Sequence, residues 1–150
     1  MANPEISNIK GTFKTGYLEY QDLSGNVVAD IFPSNAQIAT ITTATTLTMK
    51  GYMGKDIRVT ASDVIVTLPV ASTTTLAGGE FTVRNMCAPG GTIVVITTTG
   101  DNIYGAGIST SNLVGNTGAT HVYGDFITVA ATGSSSWYIV GLSGTWASTS

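Results

Sequence analysis

His121 is the one histidine of the chain and Cys87 the one cysteine, so imidazole or thiolate catalysis would have to be built around single residues. A Ser-His-Asp arrangement needs a serine held on a sharp turn. Gly141-Leu142-Ser143-Gly144 lacks the Gly-x-Ser-x-Gly spacing that makes one. Cys87 would need a neighbouring base and a lowered pKa to act as a nucleophile, and its sequence neighbours supply neither, so an inert buried thiol is expected. Asp101-Asn102 carries oxygens of the kind calcium takes, but an Asx turn after Gly100 accounts for the pair more simply. The nine acids stand singly along the chain, so no carboxylate pair suited to glycoside hydrolysis is legible. Gly105-Ala106-Gly107 is too short for a phosphate-binding fingerprint and has no helical pattern behind it. No catalytic residue, metal site or cofactor is predicted, and the chain is not expected to be an enzyme.

The elements that would hold these residues are strands. In Val64-Ile65-Val66-Thr67-Leu68, the residues Val64, Val66 and Leu68 share one face because successive strand side chains alternate. Pro69 ends that run, and Asp56-Ile57-Arg58-Val59 forms a partner run across a polar turn. Phe81 and Val83 mark a strand over 80–85, and Val122 to Ala131 and Trp137 to Gly141 mark two more. Thr92 to Thr97 is apolar on both faces, which places it at the centre of the core or at a subunit interface. Trp137 falls in an alternating strand and is expected in the core, whereas Trp146, in the tail, is the candidate for an oligomer interface. Residues 100–120 read as one long loop rich in Gly, Ser, Thr and Asn. No segment of ten residues has helical period and no repeat of fixed length occurs, so a β-sandwich or jelly roll is favoured over a solenoid.

The N-terminal region differs in character. Residues 1–35 hold six of the fifteen charged residues, and Tyr17 to Phe32 reads as a β-hairpin turning at Ser24-Gly25-Asn26. Leu18 and Tyr20 are in phase on one strand, and Val27, Ala29 and Ile31 alternate on the other. The predicted organisation is an arm over 1–35, a threonine-rich linker strand over 36–50 and a β body over 51–150. An isolated hairpin is marginal in water, so the arm is expected to dock on something.

Only 10% of residues are charged, against about 25% in ordinary soluble domains. So sparse a pattern protects a free monomer poorly against association, and it implies large contacts with partners. Six scattered Lys and Arg at a net charge of −3 make no phosphate-binding stripe, so nucleic acid is not expected as a partner. No apolar run approaches the ~18 residues of a spanning helix, and no membrane association is expected. Met1-Ala2-Asn3-Pro4-Glu5 lacks the basic and apolar regions of a secretory signal, so synthesis in a cytoplasm is expected.

Three stretches together carry a resemblance: Gly16-Tyr17-Leu18-Glu19-Tyr20 with Ser24-Gly25-Asn26-Val27-Val28, the strand end Val66-Thr67-Leu68-Pro69, and the closing Trp137-Tyr138-Ile139-Val140-Gly141. They resemble small virion proteins of tailed bacteriophages, above all capsid decoration (cement) proteins. Modules of tail fibres and spikes share the same threonine- and glycine-rich β style. The resemblance implies an all-β body, jelly-roll-like, that forms a homotrimer on the exterior of the virion capsid. It also implies an N-terminal arm that ties major capsid proteins together, and it carries no catalytic residues. On that basis Tyr17, Leu18, Tyr20, Val27, Val28, Ile31 and Phe32 are the candidate contacts to the capsid or a neighbouring subunit. The alternative is a host-recognition module that binds glycans through the loop at 100–120.

Overall fold

The computed structural model describes residues 9–14, 17–22, 27–31, 38–72, 77–98, 100–117 and 121–148. The chain divides into two units, Met1–Gln37 and Ile38–Ser150.

In the first unit, β1 (Ile9–Lys14), β2 (Tyr17–Asp22) and β3 (Val27–Ile31) form an antiparallel sheet in the order β1-β2-β3. The expected hairpin is β2 with β3, and β1 adds a third strand that the sequence pattern, Ile-Lys-Gly-Thr-Phe-Lys, did not announce. Register sets Phe13, Leu18 and Ile31 opposite one another, and Gly11, Tyr20 and Ala29 opposite one another two positions along. A bulge after Tyr20 then shifts the pairing so that Gln21 meets Val27.

The second unit is an all-β sandwich of two mixed sheets. Its elements in chain order are β4 (Ile38–Ile41), β5 (Thr45–Thr46), the single helical turn α1 (Met49–Tyr52), β6 (Asp56–Val59), β7 (Val64–Thr67), β8 (Glu80–Asn85), β9 (Ile93–Ile96), β10 (Asn102–Gly105), β11 (Ile108–Ser111), β12 (Leu113–Asn116), β13 (Phe126–Ala131), β14 (Ser136–Ser143) and β15 (Ala147–Ser148). One sheet has seven strands in the order β11-β10-β14-β13-β8-β6-β4, and the other has five in the order β15-β12-β9-β7-β5.

The chain alternates between the sheets through its first six body strands, and the pairs formed on each side are parallel: β4 with β6 and β6 with β8, β5 with β7 and β7 with β9. The polar turn after β6 is therefore an arch from one sheet to the other, not a hairpin. Asp63 holds it at φ +62°, donating its N–H to Thr92 O (2.7 Å), while Ser62 Oγ accepts from Thr92 N (3.1 Å). The threonine-rich stretch read as a linker supplies β4 and β5, both integral to the body sheets. Beyond β8 and β9 the pairing turns antiparallel, with β13 beside β8 and β12 beside β9, except that β10 runs parallel to β14.

Alternation builds the core. Ile57, Val59, Phe81, Val83, Ile127, Val129 and Trp137 from the larger sheet meet Val64, Val66, Ile93, Val95 and Val114 from the smaller, all buried. Phe81 and Trp137 pack edge to face with centroids 5.6 Å apart. The doubly apolar run at 92–97 becomes β9, the central strand of the five-stranded sheet. Residues 100–116 are not one loop but three strands, β10 to β12. Gly105-Ala106-Gly107, at φ +108°, +50° and +84°, makes the tight reversal between the first two. Trp146 is likewise reassigned: its ring is 7% exposed within the chain's own core and its Nε1 donates to Ser143 O (3.0 Å), so little of it is left to offer a partner.

Candidate functional site

The two outer faces of the sandwich differ in chemistry. On the seven-stranded sheet, register aligns Thr40, Arg58, Arg84 and Phe126 across four strands. Asp56 accepts from Arg58 Nε and Arg84 Nε, both at 3.0 Å. Arg84 also donates Nη1 to Gly124 O (3.0 Å) and lays its guanidinium 4.8 Å from the Phe126 ring centre. The one carboxylate is shared between two guanidinium groups, and each partly exposed pair contributes only ~0.2–1 kcal/mol. At the opposite side of the same face, Tyr104 and Tyr138 pair edge to face at 5.2 Å beside the half-exposed Val140.

Among the described residues, the strands of the five-stranded sheet place no charged side chain on its outer face. Ile65 on β7 pairs with Val94 on β9, and Ile96 lies between Thr67 and Leu113. Ile65 is 43% exposed, and Val94, Ile96 and Leu113 are partly exposed around it. Thr46, Gly115 and Ala147 complete the face. Large apolar side chains in adjacent rows with no charged neighbour in the sheet are the composition of a contact surface.

A groove of about 630 Å³ opens where the two sheets part at β11 and β15, lined by Gly100, Asp101, Asn102, Ser109 to Leu113 and Ser148. Asp101 is buried at its floor, and its Oδ2 accepts from Ala71 N (2.7 Å) and Thr98 Oγ1 (3.3 Å). Its carboxylate thus anchors two loops instead of closing the Asx turn expected of it, and the other polar side chains of the lining are hydroxyls and amides.

The two residues that might have carried nucleophilic chemistry lie close together but do not form a dyad. His121 directs Nε2 at the Cys87 carbonyl oxygen (3.2 Å), which makes Nε2 the protonated nitrogen, and Nδ1 is buried without a hydrogen-bond partner. The Cys87 Sγ faces Val59 O at 3.7 Å, and burial, then the Asp63 charge, pushes the thiol up from its ordinary pKa. A raised pKa keeps it protonated at neutral pH, so Cys87 is expected to react with a disulfide reagent only as fast as the chain opens. Rapid labelling of the folded protein, as fast as in denaturant, would contradict this. Among the described residues no group of three or more His, Cys, Asp or Glu is placed to hold a metal ion.

Of the candidate contact residues, Tyr17, Leu18 and Tyr20 lie in β2 and Val27, Val28 and Ile31 in β3, so strand pairing brings six of them into one small sheet. Phe32 lies outside the described residues. The uncharged face at Ile65, Val94, Ile96 and Leu113 was anticipated only at 92–97, where a subunit interface stood beside a core position as the expectation. Its signal was present in the doubly apolar β9, whose outward residues had to face something other than water. Neither a protein-family model nor any curated protein or solved structure matches the chain.

Proposed function

We propose that the chain is a structural virion protein of a tailed bacteriophage, binding the outside of the capsid as a homo-oligomer and stabilising contacts between major capsid proteins. The observation that carries this reading is the charge-free outer face of the five-stranded sheet, with Ile65, Val94, Ile96 and Leu113 in adjacent rows. Such a face is costly on a free monomer and useful in a permanent assembly. The three-stranded N-terminal sheet adds a second contact element, with Phe13, Leu18 and Ile31 set opposite one another by strand register. A strand-bearing arm of this kind fits recognition by strand addition to an edge of a capsid subunit. No catalytic step is part of the proposal.

The test is binding and protection. Purified chain added to undecorated heads should bind in hundreds of copies per particle and raise their resistance to heat and osmotic shock. A chain lacking residues 1–37 should stay soluble and lose capsid binding, whereas undiminished binding would overturn the arm's role. Ile65→Lys should weaken capsid binding at least tenfold, since a lone charge would be desolvated in an apolar contact.

A second reading, glycan binding by a tail-fibre or spike module, is favoured by the groove at β11 and β15, whose hydroxyl and amide side chains beside the Asp101 carboxylate suit a polyhydroxylated ligand. It predicts saturable oligosaccharide affinity that is lost when residues 108–113 are replaced, with tens of copies per particle at most.

A further inference from the structure

Among the described residues of the body, the stack of parallel strands has one open end. β4 is the last strand of the seven-stranded sheet and β5 the last of the five-stranded sheet, and the two follow each other directly in the chain. Both edges therefore lie at the same end of the sandwich, at the spacing of about 10 Å that separates packed sheets. At the other end of the parallel stack the edges are covered, since β13 pairs with β8 and β12 with β9. At the other end of the two body sheets, β15 is as short as β5, with two residues, but the end strand of the larger sheet there, β11, pairs irregularly with β10 across a register shift and offers no regular four-residue edge like β4.

Edge strands normally defend themselves with lysine, proline, bulges or inward charges. The segment from Ile38 to Met49 has none of these. It contains no charged residue and no proline, and β4 pairs with β6 through four consecutive positions without a bulge. Ile38 is 39% exposed on it, and Thr40, Thr42, Thr43, Thr46 and Thr48 are exposed along it. Threonine and isoleucine are strong strand formers that suit a pleated, half-covered surface. An edge so flat, neutral and undefended is built to be paired.

We propose that this double edge pairs with the same edge of a second copy of the chain, β4 to β4 and β5 to β5, across a two-fold axis. An occupant has to present two strand edges one sheet-spacing apart, and a second copy presents such a pair. A two-fold axis along the direction in which the sheets are stacked reverses the strands, so both new ladders are antiparallel, the more stable pairing per residue. The absence of charge on the segment removes the like-charge repulsion that would oppose self-pairing. The contact is isologous and uses up the one undefended end, so it closes at two copies instead of growing into a fibre. This inference does not rest on the virion reading, it gives two copies where the resemblance implies three, and the outer face at Ile65 is not part of it.

The test uses the full chain at micromolar concentration in sedimentation equilibrium. The expected species has twice the 15.4 kDa chain mass. The double substitution Ile38→Lys with Thr40→Lys should weaken association at least 100-fold, while Ile65→Lys should leave it within about threefold. Hydrogen exchange measured above and below the dissociation constant needs no substitution. It should show protection gained on association at residues 38–41 and 45–46. A monomeric or trimeric wild type, a folded lysine variant that still dimerises, loss of the dimer in Ile65→Lys, or protection gained elsewhere would each overturn the proposal.

Discussion

Asn116→Ala is expected to lower folding stability by about 2–4 kcal/mol, or roughly 5–15 °C in Tm for a chain of this length. Asn116 ends β12 in the five-stranded sheet and is fully buried. Its Oδ1 accepts from Asn85 Nδ2 (2.7 Å), which belongs to β8 in the other sheet. Its Nδ2 donates to Asp125 Oδ2 (3.0 Å) and to Thr145 O (2.9 Å), in the segments that enter β13 and leave β14. One amide thus ties both sheets to both ends of a hairpin. Removing it leaves the buried Asp125 Oδ2 with Val122 N (2.9 Å), and Asn85 Nδ2 with a longer bond to Gly91 O (3.3 Å). A buried polar group left short of partners costs more than the bond itself was worth. Asn116→Asp should be worse at neutral pH than the alanine variant, because it turns the donor facing Asp125 into a second carboxylate oxygen. Exposed Asn112→Ala, four residues away, should stay within about 0.5 kcal/mol. Thermal and denaturant melts decide it, and a loss below about 1 kcal/mol for Asn116→Ala would mean that the cluster does not join the sheets.

The same cluster fixes Gly144. Its φ of +83° already favours glycine, and a Cβ built there would overlap the Asp125 carboxyl. Gly144→Ala is therefore expected to disturb the network from the other side.

The cluster also shows where sequence reasoning stops. Alternation at Val64, Val66 and Leu68 was legible because burial on one strand face leaves a period-two trace, and these three residues are indeed buried. Which sheet each strand joins leaves no such trace. Asp56 to Val59 and Val64 to Thr67 look like a hairpin in sequence, yet the turn between them crosses the core. The parallel pairing that results was hidden because its coils differ in length: Ile38 pairs with Asp56 and Asp56 with Thr82. Unequal coils give no fixed repeat to detect.

Edge strands were the other blind spot. Ile108 to Ser111 is a strand with one large apolar residue, and its polarity follows from lying at the rim of the sheet, where neither face is fully covered. Asn116 sits in a stretch whose composition reads as loop, and its partners lie 9 to 31 residues away. Nothing local distinguishes it from Asn112. Trp146 misled for the opposite reason: position near the end of the segment suggested exposure, whereas a tail strand, β15, folds the ring back into the core.

Trp137→Ala is expected to have the largest effect of any single substitution, about 3–5 kcal/mol. Folded domains have only about 5–15 kcal/mol in hand, so the variant should be partly unfolded at physiological temperature. The indole is 0% exposed, is flanked by Phe81 at 5.6 Å, and lies on β14 between β10 and β13. Truncation would open a cavity that the two sheets, braced by their ladders, can close only in part. Trp137→Phe separates two contributions. It also removes volume, but it deletes Nε1, a buried donor with no hydrogen-bond partner. Leaving such a group in place costs about 1–3 kcal/mol, so its removal offsets much of the packing lost, and the net change should stay below about 2 kcal/mol. Retained near-ultraviolet dichroism and a Tm close to wild type would support that balance. A phenylalanine variant as damaged as the alanine one would show that the indole N–H has an acceptor in solution and that the core around β14 is organised by that bond.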